Sequence, residues 1–538
     1  MTSKTPTNWT RQDDAMVEDA IRRGATRRDL LRMLMASGVT MAAGGAILGR
    51  AGAAMASTPV KGGHMRAAGW STSTADTLDP AAASLSTDYV RCCAYYNRLT
   101  FLNEDGEVEM ELAENIETDD AQTWYVTLRS GVTFHDGKPL TAADVVYSMR
   151  RHLDPDVGSR SASIARQFAE ISEDGDLRVK FVLEEPNADL PTILSLHHFM
   201  IIADGTTEFR TANGTGAFKS EVFEPGVRSV GVRNENYFKD DGPHLDSFEF
   251  IGITDNDARV NALLSGDVDL AAAIRLRSLR LLEGQDAVDT VVTTAGNYTN
   301  LNIRLDMEPG ANRDFIEGMR HLIDRELIVN AVMRGYGEVA NDQPVPPMNR
   351  YFNPNLEAPA FDPDQARHHF ERAGVLGQRI PVITSEAASS SVEMGTILQQ
   401  AGADIGMNLD VQRVPSDGYW SNYWLKEPVH FGNINPRPTP DILFSLLYHS
   451  DAAWNESRFE NERFDSMLSE ARGTLDEDRR TEMYWEMQEI VSKEAGTIIP
   501  AFISGIDAIS SNVRGLRPNP LGGMYGYAFA EYVWLDDA

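Results

Sequence analysis

At 538 residues the chain is too long for one hydrophobic core, and two or three domains are expected. Its composition is globular, 42% hydrophobic and 24% charged. A formal net charge of −31 repels phosphate backbones and anionic lipid headgroups, which argues against nucleic acid or a membrane surface as the main partner.

Residues 1–56 stand apart from the fold as a targeting segment. Arg27 and Arg28 precede a weakly apolar run from Leu30 to Leu48, and Ala54-Met55-Ala56 offers small residues for cleavage before Ser57. Thr26-Arg27-Arg28-Asp29-Leu30-Leu31 resembles a twin-arginine export signal, so a periplasmic location is expected. An amphipathic basic helix or an uncleaved membrane helix is the alternative, although Arg32 and many Gly and Ala residues weaken a span. Cys92 and Cys93 are adjacent, a spacing that ordinary disulfide geometry disfavours, and they read as small buried side chains.

His64 to Gly69 alternates like a strand, and a polar loop closes at Asp79-Pro80. A helix over the Cys pair follows, then a strand in "TWYVTLRSGVTF". Next comes "HDGKPLTAADVVYSMRR": a turn at Asp136-Gly137, a helix capped by Thr141 and Asp144, and an apolar face of Val145, Val146 and Met149. His135-Asp136 has no clustered His or Asp ligands to join, so it reads as scaffold. "GTGAF" lacks the lysine placement of a phosphate loop and leads into a strand, so its glycines mark a tight turn. "ITDNDARVNALLSGDVDLAAAI" reads as a capped helix, a turn and a short strand.

From about Asn300 the pattern shifts. A strand leads into two helices broken at Asp324, then a Pro-rich loop. "IPVITSE", "SVEMGTILQQAGADIGM" and "NLDVQRVP" make strand, helix and strand, a parallel crossover that implies an α/β domain of its own. Two more helices precede closing strands in "GTIIPAFISGIDAISSNVRG". The chain is expected to cross between domains twice, near 296–302 and 496–504.

Taken in order, "LRSGVTFHDGKPLTAADVVYSMRR", "GTGAF" with "EPG" and "RNENYF", "LLSGDVDL", "LIDRELIVNAVMRGYG" and "GTIIPAF" carry a family likeness. Over about residues 62–538 the chain resembles the extracytoplasmic solute-binding proteins of peptide, nickel and opine ABC importers, family 5. The resemblance implies an α/β, two-lobed clamp of mixed sheets and flanking helices, hinged between the lobes. Lobe I would comprise 57–298, with an extra subdomain at about 91–220, and the return segment 501–538; lobe II would comprise 299–500. It implies a monomer that captures a peptide-like or related organic solute by closing, then delivers it to ABC permease subunits. Neither a catalytic residue, a metal site nor a cofactor is expected. A metal-chelate or opine binder of the same build is the alternative, and a secreted hydrolase a more distant one.

In peptide-binding members an Asp of the second lobe pairs with the ligand's α-amine. Here that region holds Asn435, Pro436 and Arg437, which puts ordinary amine anchoring in doubt. Two readings of Arg437 stand side by side: a grip on a carboxylate or phosphate, or a structural arginine paired with Asp441. Asp441 is itself a candidate amine partner. Further candidate ligand contacts are Thr87 in the Ser84–Tyr89 loop, Asn297, Tyr298 and Asn300 at the crossing, Tyr419 and Trp420, and Trp454.

Overall fold

The structure is a computed structural model that describes residues 59–282 and 284–536. The proposed export signal lies outside the described residues. Strand β1 (His64–Gly69) opens lobe I, and helix α1 (Ser86–Tyr95) packs over it. A small antiparallel sheet follows from β2 (Ala113–Thr118), β3 (Thr123–Leu128), β4 (Phe168–Glu173) and β5 (Arg178–Leu183), in the order β2-β3-β5-β4. The inward residues of β3 and β5, Trp124, Val126, Val179 and Phe181, are buried against helix α2 (Ala142–Arg151) through Val145 and Met149.

The α2 start follows the cap read from sequence. Asp144 accepts from the Thr141 amide and hydroxyl, each at 2.9 Å, closing the reciprocal box at an end whose amides lack helical partners. His135, just upstream, is a clip. Its backbone amide donates to Gly214 O at 2.8 Å, and its ring lies 3.0 Å from Gly216 O and 3.4 Å from Gly214 N. Burial lowers its pKa, and the neutral ring fits one acceptor and one donor nitrogen. The two glycines are there for clearance: a Cβ on Gly214 would stand 2.0 Å from Tyr95 O, and one on Gly216 2.4 Å from Tyr95 C. "HDG" and "GTG" therefore lock together and seat the C-terminal end of α1.

Lobe I continues with antiparallel β6 (Phe218–Glu224), β7 (Arg228–Arg233) and β8 (Ser247–Gly252), then α3 (Asn256–Leu264) and β9 (Leu270–Ala271). The long strand β10 (Val288–Ile303) leads into lobe II. There β11 (Arg379–Thr384), α4 (Ser391–Asp404) and β12 (Asn408–Arg413) form the crossover, β11 and β12 pairing in parallel. Strand β13 (Val429–Ile434) and helices α5 (Pro440–Leu447), α6 (Glu462–Gly473) and α7 (Glu477–Glu494) complete the lobe. Asn461 and Asp476 cap α6 and α7, accepting from Phe464 N and Arg479 N. Strand β14 (Ala501–Ser510) then returns to lobe I.

A strand-helix-strand domain separate from its neighbour is the expectation, and here the structure differs. One sheet, twelve strands among the described residues, runs through both lobes in the order β12-β11-β13-β10-β14-β9-β1-β8-β7-β6, with two short strands off this path. Strands β10 and β14 pair antiparallel from Val288–Ser510 to Tyr298–Phe502, interrupted by a bulge between Thr293 and Asn297. Both crossings are thus adjacent strands of one sheet. Each lobe keeps its own apolar layers: Phe248, Phe250 and Phe529 in lobe I, Phe315, Val382 and Phe431 on one side of the lobe II sheet, and Phe444, Tyr484 and Phe502 on another.

Candidate functional site

The lobes meet around a pocket beside the bulge. It is lined from lobe I by Asp189 and Leu521, from the strand joint by Ala295, and from lobe II by Tyr351, Arg437 and Thr439. Thr294 Oγ1 and Ser504 Oγ lie 2.7 Å apart across β10 and β14, holding the paired strands on either side of the joint. Gly296 sits at φ +100°, with Pro346 so close that a Cβ would meet it at 2.8 Å. That backbone state favours glycine, and it turns the bulge toward the pocket.

Arg437 follows β13 in a Pro-rich loop. Its Nη1 donates to the carbonyls of Asn435 and Pro436, both at 3.0 Å. No carboxylate among the described residues lies within ion-pair range of it. The guanidinium is half-buried, and burial lowers its pKa against an opposing influence from Tyr298. A desolvated cation on a pocket wall with no ion pair of its own among the described residues favours an anion that arrives from outside.

Asp441 is otherwise engaged. It lies in the first turn of α5, buried, and accepts from Arg472 Nε at 2.9 Å. Burial outweighs that neighbour and pushes its carboxyl up to about 6. Asp441 therefore belongs to Arg472; it neither balances Arg437 nor opens onto the pocket. Arg472 also reaches Glu185 of lobe I at 3.7 Å, and its carbonyl accepts from Ala188 N at 2.7 Å. Beside it Arg480 of α7 forms an ion pair with Asp189, the two side chains 2% and 1% exposed, and Arg480 lies over the Tyr351 and Tyr484 rings. Residues 185–189 and the α6–α7 corner thus form a clasp from lobe to lobe.

The other sequence candidates are dispersed. Asn297 is half-buried at the joint, in register with Ile503. Tyr298 is fully buried against Phe502, ring centroids 6.0 Å apart. Asn300 is also fully buried and donates to Asn302 Oδ1 at 2.9 Å and Glu456 Oε2 at 2.6 Å. Tyr419 is core, its hydroxyl donating to Phe431 O at 2.6 Å, in a short helix, Tyr419–Asn422. Trp420 and Trp454 are 41% and 38% exposed and flank Trp424, whose indole donates to Glu456 at 2.6 Å. They cap the lobe II polar core and are not among the pocket-lining residues. Thr87 is fully buried in α1, with its hydroxyl unpartnered.

Sequence reasoning singled out Ser84–Tyr89 on lobe I but missed the ring cluster that Tyr89 joins there. Tyr89 lies 3.9 Å from His197 and 5.3 Å from Tyr527, and Trp70 lies 6.4 Å from Tyr527. Tyr527 comes from a loop in which Met524, Tyr525 and Tyr527 all hold positive φ (53°, 54° and 72°). Asp507 fixes that loop by accepting from Met524 N at 2.6 Å while also accepting from Ala273 N at 2.9 Å. The sequence signal was the aromatic-glycine run "GGMYGYAF". Among the described residues no group of three or more His, Cys, Asp or Glu is placed to hold a metal ion. None of the described helices is long and apolar enough to cross a membrane.

The family model for bacterial extracellular solute-binding proteins, family 5 (middle), matches residues 107–455. The glutathione-binding protein GsiB of Salmonella typhimurium is 25% identical over 458 residues, covering 82% of this chain and 89% of that protein. The heme-binding protein A of Haemophilus influenzae is 26% identical over 471 residues, covering 79% and 85%. Among solved structures, HbpA2 from Haemophilus parasuis superposes with a TM-score of 0.78 at 22% identity, covering 88% of this chain and all of that one.

Proposed function

The chain belongs to the bacterial extracellular solute-binding proteins of family 5, the cargo-capturing components of ABC importers, and we propose that its cargo is a peptide-like or related organic solute carrying a carboxylate that docks on Arg437. The observation that carries this reading is the guanidinium itself, half-buried on the pocket wall with no acidic partner among the described residues. Glutathione, named for one relative, is an acidic peptide and fits the same chemistry. A planar fork with free Nε and Nη2 donors suits the two oxygens of a carboxylate.

Capture needs no bond chemistry. The lobes join through β10 and β14, and a solute touching both walls favours the closed arrangement by its differential affinity. Moving a 1:99 population to 99:1 takes about 5.5 kcal/mol, within reach of one charged contact plus buried apolar area. Export through the twin-arginine-like segment at residues 26–31 and delivery to one dedicated permease complete the reading.

Native mass spectrometry of gently purified protein identifies the co-purifying cargo, and calorimetry then compares it with its carboxylate-free analogue. Arg437→Ala is expected to weaken the acid by about ten- to hundredfold, the range of charge-assisted hydrogen bonds, and to leave the analogue's affinity nearly unchanged. Equal binding of the acid by both proteins rules out the anion grip.

A further inference from the structure

Four rings from distant parts of lobe I meet on one surface: Trp70 after β1, Tyr89 in α1, His197, and Tyr527 in the C-terminal loop. The centroid of Tyr527 lies 5.3 Å from Tyr89 and 5.7 Å from His197. Each of the four residues is only partly buried. Thr192 and Leu521, five and six residues upstream of His197 and Tyr527, line the same pocket as Arg437, so the chain segments that carry these two rings also reach that pocket.

Three features characterise this wall. His197 Nδ1 is enclosed without a hydrogen-bond partner, and so is the hydroxyl of Thr87, two residues before Tyr89. Enclosed polar atoms of this kind are few in native proteins and call for a partner. The wall is neutral: burial holds the His197 ring in its uncharged form and keeps the Tyr89 and Tyr527 phenols protonated. Tyr527 is held at positive φ by a loop braced on Asp507, a conformation that costs energy and that residues adopt where placement matters.

We propose that Trp70, Tyr89, His197 and Tyr527 form a second cargo subsite that stacks an aromatic group and offers His197 Nδ1 to a polar atom on it. This subsite rests on the carboxylate reading of Arg437. Together they define the cargo class as an aromatic acid or aryl-bearing peptide, with the ring on lobe I and the carboxylate on lobe II. A solute of that shape touches both walls, which is the condition for closing the clamp. Neutral rings favour an uncharged planar group over a second charge, by stacking rather than ion pairing.

The probes are N-benzoylglycine and N-acetylglycine, which share a carboxylate and amide and differ by the ring. Calorimetry on wild type, Tyr527→Ala, His197→Ala and Arg437→Ala reads both, with circular dichroism and melting curves to certify folding. His197→Gln serves if the alanine variant fails to fold. Wild type is expected to bind the benzoyl acid about tenfold or more tightly than the acetyl acid. Tyr527→Ala and His197→Ala should erase that preference, whereas Arg437→Ala should weaken both acids alike. Equal affinity of wild type for the two probes overturns the subsite, as does a ring preference that survives both lobe I substitutions. If Arg437→Ala binds both acids as wild type does, the carboxylate reading falls instead.

Discussion

At the clasp, Arg480 of lobe II meets Asp189 of lobe I with almost no water on either side chain. In the same pocket wall, Arg437 of lobe II meets no carboxylate among the described residues. Both guanidiniums are desolvated, so both carry a cost that only an opposite charge offsets. At the clasp the protein supplies that charge, and the contact is spent on bringing the lobes together. At the pocket no such charge among the described residues pairs with Arg437, and the function proposed above assigns that role to the cargo. On the reading proposed above, the partnered arginine sets how readily the clamp shuts, and the unpartnered one sets what it shuts on.

The sharpest way to break this division is Asp189→Asn. Removing one member of a buried pair costs about 3–5 kcal/mol, because the other charge stays buried and unpaired. If the pair forms only when the lobes close, the cost falls on the closed form and not on the fold of either lobe. Affinity should drop at least about a hundredfold for every cargo alike, acidic or not. Small-angle scattering should show a larger radius of gyration at a fixed cargo concentration. The exchanged pair Asp189→Arg with Arg480→Asp should recover part of the loss, a coupling that two independent sites would not show. Selective loss for acidic cargo would move Asp189 from the clasp to the pocket.

Arg437→Lys makes the next largest change. The charge remains but the fork does not, and a drop of roughly tenfold is expected for carboxylate cargo only. Salt should weaken the lysine variant more steeply than wild type, since an ammonium acts as a point charge. Uniform weakening of acidic and neutral cargo would blur the two arginines into one role.

Glu456 is the third test and the smallest. It is a buried carboxylate without a cation: Trp424, Asn300 and Asn302 are its neighbours, and burial pushes its carboxyl from the usual 4.5 to about 7. Between those values the folded chain binds more protons than the unfolded one. Stability therefore falls as pH climbs through that window, and the cost is complete above pH 7. Glu456→Gln removes the charge, and its amide can donate toward the unpartnered Asn300 Oδ1. Melting should rise by roughly 2–5 °C at pH 8, with the gain fading toward pH 4. No gain at pH 8 would mean the unpaired charge costs nothing there, and the contrast with the clasp would fail.

Local features were legible from the chain. The Thr141–Asp144 cap, the β11-α4-β12 crossover and the α6–α7 helices each rest on residues within one helix or one crossover, and patterns of that range survive in sequence. His135 reads as scaffold because it lacks ligand neighbours, yet its partners Gly214 and Gly216 lie some eighty residues away and only the fold names them. Arg437 stood out because prolines flank it on both sides. Tyr419 and Asn300 did not reveal their burial, since an aromatic or amide at a strand end fits core and cleft equally well. The ring wall and the Asp189–Arg480 pair join segments hundreds of residues apart, and no periodicity encodes such meetings. The continuous sheet was hidden for the same reason: β10 and β14 are separated by all of lobe II.

That shared sheet has a consequence for how the molecule is reused. A clamp strung on two loose linkers would wander between strokes. Here the two crossings are laced together from Val288–Ser510 to Tyr298–Phe502, with slack only where Thr293 gives way to Asn297. Opening is expected to fold the molecule along that one crease, as a card bends at its score line, with the rungs on either side kept. No pairing has to be rebuilt after a load departs, so each cycle starts from the same alignment of the two halves.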